Sequence, residues 1–182
     1  MEIVETGIEG LKIIKPHVFA DARGYFFETY NEERYLKSGI NYHFVQDNIS
    51  CSQYGVVRGL HFQKPPFSQA KLVQVISGRV LDIAVDLRTS SPTYGKHFAV
   101  ELTGENHWQF IIPRGFAHGF SVLSEMAVFT YKCDNLYNPQ SEGGIRFDDP
   151  TLAIDWKINP AYAIISDKDT KHPFFSELDK IF

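Results

Sequence analysis

Residues 71–87 have the sequence KLVQVISGRVLDIAVDL, in which two apolar runs flank a Ser-Gly pair. Short runs rich in valine and isoleucine and bounded by glycine are typical of β-strands. With the turn placed at 77–78, the two runs form a hairpin. Because side chains alternate along a strand, Lys71 and Asp82 then share the more polar face of the sheet. The pairs predicted across the turn are Ile76 with Arg79, Val73 with Asp82, and Lys71 with Ala84.

A second hairpin is predicted where residues 118–123 meet residues 126–132 across Ser124-Glu125. The same counting places His118 opposite Tyr131. Glycine, proline, serine and asparagine separate the other strand-like runs, as in an all-β sandwich or barrel. The full set of predicted strands is 10–18, 24–30, 43–52, 56–62, 70–76, 79–87, 97–103, 108–112, 118–123 and 126–133.

The rest of the chain predicts only small helical elements. Residues 31–38 have the pattern of a short helix that ends at Gly39. The segment from about Pro150 is less regular and is expected to contain one or two short helices. With no internal repeat, low-complexity stretch or linker, the 182 residues are predicted to form one domain, 1–182.

Composition excludes several classes of protein. The net charge is −4 and no Lys/Arg run occurs, which argues against a nucleic-acid polymer as partner. No apolar run approaches the ~18 residues of a membrane span, and the N-terminus lacks the pattern of a signal peptide. The two cysteines, Cys51 and Cys133, have no metal-site spacing. The sequence therefore predicts a cytoplasmic protein with reduced thiols.

A spacing of histidines resembles the metal-binding frame of the cupin barrel. Gly55 is followed after five residues by His61-Phe62-Gln63, and later come Lys71, Gly78, Pro113 and His118. Two of the four ligand positions are changed, because Gln63 replaces a histidine and Lys71 replaces a glutamate. An ammonium group has no lone pair to donate and repels a divalent cation. The sequence thus predicts a double-stranded β-helix, or jelly-roll, barrel without a metal.

The residues left in that cavity suit proton abstraction beside a carbonyl group. Histidine is the usual general base near neutral pH, and His61 and His118 are both available. An α-proton is on the order of ten pKa units less acidic than imidazolium, which corresponds to roughly 14 kcal/mol at 1.36 kcal/mol per unit. A cation beside the oxygen is therefore a mechanistic need, and Lys71 can supply it. Tyr131 can return a proton from the opposite side, with Asp82 near Lys71.

Several motifs, in order along the chain, resemble the dTDP-4-dehydrorhamnose 3,5-epimerase family. The resemblance extends from about Gly7 to Asp169, and together the motifs are specific although each alone is weak. The motifs are RGYFFE at 23–28, FVQDN at 44–48, VRGLHFQ at 57–63, KLV at 71–73, PRGFAHGF at 113–120 and SDKD at 166–169.

The resemblance implies a role for each residue at a motif position. His61 is expected to be the base, oriented by Asp169, with Tyr131 as proton donor and Lys71 at the sugar carbonyl. Tyr137 is a competing donor or a stacking ring. The remaining motif residues are expected to bind the substrate. Arg58 and His118 are expected at the phosphates or sugar, and Gln46 and Asn48, with Asp47 between them, at the nucleobase. The rest of the nucleotide site is expected to consist of Arg23, Glu28, Glu142 and Lys168.

The resemblance also implies a reaction and an assembly. The family inverts the two carbons that flank the ketone of dTDP-4-dehydro-6-deoxy-D-glucose, a step toward dTDP-L-rhamnose, without cofactor or metal. Its members are homodimers, and parts of the nucleotide site can cross the dimer interface. Three alternatives stay open: a mono-epimerase or ketoisomerase of a related dTDP-4-keto-sugar, a metal-dependent cupin, and a non-catalytic sugar-nucleotide binder. The remaining histidines are interpreted as satisfied barrel residues: His17, His43, His97, His107 and His172.

Overall fold

The protein, described here over residues 1–182 by a computed structural model, is built almost entirely from short antiparallel strands. The strands are β1 (Glu2–Glu5), β2 (Lys12–Lys15), β3 (Phe19–Asp21), β4 (Gly24–Phe26), β5 (Gln46–Gln53), β6 (Val57–Gln63), β7 (Lys71–Ser77), β8 (Arg79–Asp86), β9 (His97–Thr103), β10 (Gln109–Ile112), β11 (Phe116–Val122), β12 (Met126–Cys133) and β13 (Glu142–Gly144). Ten of these thirteen elements match predicted strands, whereas the short strands β1, β3 and β13 were not predicted.

Two sheets carry the core. One has six strands in the order β1-β2-β10-β7-β12-β5, and the other has five in the order β13-β6-β11-β8-β9. Strands β3 and β4 form a separate two-stranded hairpin. The predicted all-β jelly-roll of the cupin type is confirmed. From β5 to β8, and again from β9 to β13, consecutive strands alternate between the two sheets, as in a double-stranded β-helix.

Both predicted hairpins are wrong. Strand β7 pairs with β10 and β12, whereas β8 pairs with β9 and β11 in the other sheet. Likewise β11 and β12 lie in different sheets. The link at Gly78, with φ of +82°, is therefore a crossing between sheets and not a hairpin turn. A one-residue link with a left-handed glycine is compatible with either geometry, so the local sequence did not distinguish them.

The predicted alternation of side chains is nevertheless right, because alternation does not depend on which strand is the neighbour. The face that was predicted to be the more polar one, however, is the core between the two sheets. Val73 on β7 and Val80 and Ala84 on β8 all pack in the core between the sheets. The opposite face of β8, with Leu81 and Ile83, packs in a second core beneath the C-terminal segment. Residues on inward positions of β7, β8, β11 and β12 thus meet across the interior.

Peripheral helical elements are few. The predicted helix is α1 (Glu32–Lys37), capped by the Asn31 side chain, which accepts a hydrogen bond of 3.1 Å from the Arg34 N–H. Gly39, with φ of +78°, ends it. The C-terminal segment contains three single 3₁₀ turns, Pro160–Tyr162, Asp169–Lys171 and Phe175–Glu177, and a fourth lies at Pro139–Ser141. No helix is long and apolar enough to cross a membrane.

Candidate active site

A cavity of about 330 Å³ opens between the ends of the two sheets. Strand β6 of the five-stranded sheet contributes His61 to it, and strands β7 and β12 of the six-stranded sheet contribute Lys71 and Tyr131. In the five-stranded sheet, His61 is the direct cross-strand partner of His118 on β11, so the two rings belong to one face. The cavity therefore has a histidine wall and a facing wall of lysine and tyrosine.

The first histidine on that wall is bound to a carboxylate from the C-terminal segment. The Nε2 atom of His61 lies 2.6 Å from Oδ1 of Asp169, and the Gly59 N–H donates to Oδ2 of the same carboxylate. Burial alone would raise the pKa of Asp169, but the hydrogen bonds from His61 and Gly59 outweigh it and hold that pKa below the usual range. An ionised Asp169 fixes the proton on Nε2, which leaves Nδ1 of His61 as the basic nitrogen.

The second histidine is bound to a carboxylate inside the barrel. Nε2 of His118 lies 3.0 Å from both carboxylate oxygens of Asp82, and neither side chain is more than 8% exposed. Burial raises the pKa of Asp82 against the opposing effects of His118 and Lys71. Burial also lowers the pKa of His118. The pair is therefore a fixed hydrogen-bonding unit behind the cavity.

The facing wall is set by the register of β12. Cys133 pairs with Lys71 on β7, and Tyr131, two positions earlier, shares its face. The Lys71 ammonium lies 5.8 Å from the centre of the Tyr131 ring. Burial lowers the pKa of Lys71 and raises the pKa of Tyr131. Burial also raises the pKa of Cys133 to about 11, so its thiol is neutral near pH 7.

The mouth of the cavity is lined by a polar cluster. The Tyr137 hydroxyl donates to Oε2 of Glu142 at 3.0 Å, and the Lys168 ammonium pairs with the same carboxylate. The Gln46 side chain accepts from the Tyr137 N–H at 2.9 Å and donates to Asn48. Since the Tyr137 hydroxyl is already committed to Glu142, Tyr131 is the better placed of the two candidate proton donors.

Arg58 lies beside this mouth in an adjoining cavity of about 340 Å³, which also contains His61, Glu142 and Lys168. Its Nε donates to Ser52 at 3.1 Å, which leaves the terminal nitrogens of an exposed guanidinium for a ligand. Arg58 and Lys168 together place two cations next to the cavity that holds His61.

Three residues that the sequence predicted to bind the substrate lie outside the cavity. Asp47 lies on the outer face of β5, where its carboxylate accepts from Lys132 at 2.8 Å. Arg23 lies on the β3–β4 hairpin with a side chain 90% exposed. Glu28 binds Asn31 and Arg34 at the start of α1. None of these three residues lines the cavity that holds His61 or the adjoining one beside Arg58.

The changed positions of the metal frame have structural roles. The Gln63 side chain donates to the carbonyls of Phe67 and Leu136 and accepts from the Asn138 N–H, so it ties together the two loops that follow β6 and β12. The Lys71 ammonium has no lone pair for a metal. Of the four positions of the frame, only His61 and His118 carry a metal-ligating group, and each already binds a carboxylate.

One residue beside the site was missed. His172 was interpreted as a satisfied barrel residue, and this is wrong: its buried Nε2 has no hydrogen-bond partner and lies 3.7 Å from Oδ1 of Asp169. Its ring meets the His61 ring edge-on, with centres 5.8 Å apart. The spacing Asp169 to His172 was a usable signal, because side chains three apart on a 3₁₀ turn lie on the same side.

The arrangement suits removal of a proton from one face of a planar group and its return to the other. His61 provides a base on the five-stranded sheet, and Tyr131 provides an acid on the six-stranded sheet. Lys71 provides a cation on the second wall whose lowered pKa favours proton donation to an oxyanion.

Comparison with known proteins gives one consistent result. The family model described as dTDP-4-dehydrorhamnose 3,5-epimerase matches residues 5–177. A dTDP-4-dehydrorhamnose 3,5-epimerase from Methanothermobacter thermautotrophicus is 49% identical over 167 residues, which cover 91% of this chain and 90% of the relative.

Crystal structures of similar proteins have the same fold. The dTDP-4-dehydrorhamnose 3,5-epimerase from Elizabethkingia anophelis is 57% identical, with a TM-score of 0.93 and 97% of each chain covered. The dTDP-6-deoxy-D-glucose-3,5-epimerase from Legionella pneumophila, in complex with dTDP-4-keto-L-rhamnose, is 49% identical, with a TM-score of 0.94 and coverage of 98% of this chain and 94% of that one.

Proposed function

Because the chain belongs to the dTDP-4-dehydrorhamnose 3,5-epimerase family, it is a sugar-nucleotide isomerase, and we propose that His61, Lys71 and Tyr131 perform its chemistry. The activity is inversion of the two carbons that flank the ketone of dTDP-4-dehydro-6-deoxy-D-glucose, giving dTDP-4-dehydro-L-rhamnose. The observation that carries the assignment of roles is the placement of His61 and Tyr131 on opposite sheets, with the cavity between them.

The proposed cycle begins with proton abstraction by His61. Nδ1 of His61 removes the proton from the carbon beside the ketone, and the C–H electron pair moves into an enolate. The ionised Asp169, held at 2.6 Å from Nε2, stabilises the imidazolium that forms. Because this carboxylate already has a lowered pKa, it stays ionised while the ring takes up the proton.

The developing oxyanion needs a donor, and Lys71 is the proposed one. Its ammonium is partly desolvated, so its charge acts through less water than an exposed lysine would. His118 on β11, next to the strand of His61, is hydrogen-bonded to Asp82 on β8, and this buried pair is proposed to bind the sugar on the side facing Lys71. A single donor of this kind is worth roughly 3–4 kcal/mol of transition-state stabilisation.

Inversion is completed from the opposite wall. Tyr131 donates its phenolic proton to the carbon on the face away from His61, and the enolate collapses to the ketone. Burial raises the pKa of Tyr131, so the phenol is protonated at neutral pH and is available as an acid. Because a base and an acid on the same side would return the proton to the original face, separation by the cavity is what gives inversion.

The nucleotide is proposed to bind at the cavity mouth. Arg58 can hold the diphosphate through its free guanidinium nitrogens, with Lys168 alongside. Gln46 and Asn48 present amide groups to the nucleobase, and Tyr137, half exposed, offers a ring for stacking.

Arg23 and Glu28 are proposed to act across a homodimer interface. The β3–β4 hairpin stands apart from both main sheets and exposes Phe19, Tyr25 and Phe26. In a dimer this hairpin would cover the partner's cavity and bring Arg23 to the nucleotide. Sedimentation equilibrium tests the assembly, and Arg23→Ala tests the role: weaker dTDP binding at unchanged dimer content is expected. A monomeric active enzyme would refute the arrangement.

The cytoplasmic location and the exclusion of nucleic-acid partners stay predictions of the sequence.

The deciding experiment is incubation with dTDP-4-keto-6-deoxyglucose in heavy water. Mass spectrometry is expected to show two solvent deuterons in the product, and proton NMR is expected to show inversion at both carbons. One deuteron and one inverted carbon would assign a mono-epimerase instead. Tight binding without any deuterium would assign a non-catalytic binder.

A further inference from the structure

His172 forms a three-residue group with the two members of the catalytic pair. Nε2 of His61, a carboxylate oxygen of Asp169 and a nitrogen of His172 all lie within 4.8 Å of one another. Nε2 of His172 is 3.7 Å from Oδ1 of Asp169, and Nε2 of His61 is 2.6 Å from the same oxygen. Three groups that can bind a metal ion therefore lie together beside the cavity, His61 once its Nε2 proton is displaced.

The His172 nitrogen is buried without a partner, which is the observation that points to a ligand. A buried polar atom left unpaired costs about 1–3 kcal/mol. Burial also lowers the pKa of His172, so the imidazole is neutral and has a lone pair to offer at neutral pH. The ring cannot easily turn away, because it lies against Gly144, where an added methyl group would be 2.5 Å from the ring atoms.

The donor set has a clear chemical preference. Two imidazoles and one carboxylate are the ligands that Zn²⁺ and similar transition metal ions favour, with metal–nitrogen and metal–oxygen bonds of about 2.0–2.2 Å. Donors on such an ion are about 3.4 Å apart, so the present separations require shifts of only about 1 Å. Mg²⁺, which prefers oxygen ligands and octahedral geometry, does not suit the set.

Charge and access also permit a cation. Glu142 and Asp169 contribute two carboxylates at the group, and Lys168 and Arg58 contribute two cations, so the fixed charges around it balance. His61 is 31% exposed at its side chain and borders both cavities at the mouth, which gives an ion a path from solvent. This site shares only His61 with the cupin frame, and its other two members, His172 and Asp169, lie outside that frame.

We propose that His61, Asp169 and His172 form an inhibitory binding site for a divalent transition metal ion. The ion would bind Nε2 of His61, so the proton held there would move to Nδ1 and occupy the basic nitrogen. It would also separate the ring from Asp169, so His61 could no longer accept a proton from the substrate. Inhibition rests on the proposed role of His61 in epimerisation, whereas metal binding by the three residues does not.

The test uses Co²⁺ and Zn²⁺ on the full-length protein. Addition of Co²⁺ is expected to produce visible d–d absorption at one equivalent per chain, and Zn²⁺ is expected to displace it and to inhibit epimerisation. His172→Gln and His172→Phe, the second of which keeps a ring against Gly144, are expected to weaken Zn²⁺ inhibition by about tenfold or more, within the range for loss of metal-site support. Their metal-free turnover is expected to be near that of the wild type.

Matched controls separate the possible results. His97→Gln removes an exposed histidine far from the group and is expected to leave Zn²⁺ inhibition unchanged, and Mg²⁺ is expected to have no effect. Absence of stoichiometric Co²⁺ binding, or equal Zn²⁺ inhibition of both His172 variants, would overturn the site. Co²⁺ binding without inhibition would overturn the inhibitory role. Failure of metal-free turnover in the wild type would instead refute the proposed function, while Co²⁺ binding would still report on the site.

Discussion

Two histidine–aspartate pairs, whose histidines are cross-strand partners in one sheet, differ in almost everything except their chemical groups. His61 is partly open to solvent, and its partner Asp169 has a lowered pKa because hydrogen bonds outweigh burial. His118 is buried, and its partner Asp82 has a raised pKa because burial dominates. The comparison teaches that surroundings, and not residue type, make one pair a proton acceptor and the other a fixed hydrogen-bonding unit.

The strongest test of the comparison replaces the histidine of each pair with asparagine. His61→Asn is expected to reduce deuterium exchange at both sugar carbons by about 10²–10⁴-fold, the usual contribution of a general base, with dTDP binding largely kept. His118→Asn is expected to retain measurable exchange, because the base is still present. Exchange in heavy water followed by mass spectrometry measures both. Equal losses in the two variants would abolish the distinction between the pairs.

Lys71 tests whether the wall opposite His61 stabilises charge. Lys71→Met keeps the length of the side chain and removes the ammonium, and kcat is expected to fall by about 10²–10³-fold. Steady-state kinetics separate this from a binding effect. If only KM changes, Lys71 acts in ground-state binding, and the carbonyl needs another donor.

Tyr131 tests whether the two walls act on opposite faces. Tyr131→Phe is expected to slow inversion by about 10²-fold, the lower range for loss of a general acid, and to slow exchange less. The variant should therefore place deuterium in recovered, un-inverted substrate faster than it forms product. Tyr137→Phe, whose hydroxyl binds Glu142, is the matched control and is expected to lower nucleotide affinity without this uncoupling. Uncoupling in the Tyr137 variant alone would reverse the assignment.

The smallest expected effect comes from the two carboxylates, Asp169 and Asp82, and is measured as the change of thermal stability with pH. The lowered pKa of Asp169 means that it stabilises the folded state above its ordinary value near 3.8 and that this contribution is lost as pH falls through the lowered value. Asp169→Asn is expected to cost about 1.5–3 kcal/mol at pH 7 and less near pH 3.

The contribution of Asp82 to stability depends on pH with the opposite sign. Its raised pKa means that ionisation opposes folding above that pKa and that the cost disappears as pH falls toward 3.8. The effect of Asp82→Asn on the free energy of unfolding is therefore expected to be most favourable near pH 7 and less favourable at low pH. Melting temperatures of the three proteins between pH 3 and pH 7 decide the matter. Parallel curves for the two variants would show that the two environments do not differ.

The sequence alone determined most of the strand content and which side chains of a strand lie on the same side. Val73, Val80 and Ala84 were grouped correctly, although their face, predicted to be the more polar one, is the core between the sheets and the pairing of β7 with β8 was wrong. The alternation of side chains is a local property of an extended backbone, so it can be predicted for any strand from its sequence. The order and spacing of the motifs likewise identified the family, because both are properties of the amino-acid sequence itself.

Only the tertiary structure decided which strands are neighbours and which side chains meet. A short link such as Gly78 can close a hairpin or cross between sheets, and the choice depends on hydrogen bonds to strands distant in the chain. The same is true of His172, whose unpaired nitrogen beside Asp169 arises because the C-terminal segment packs against β6. The balance between burial and hydrogen bonding, which sets the opposite pKa shifts of Asp82 and Asp169, is also a property of the folded packing and has no local signal.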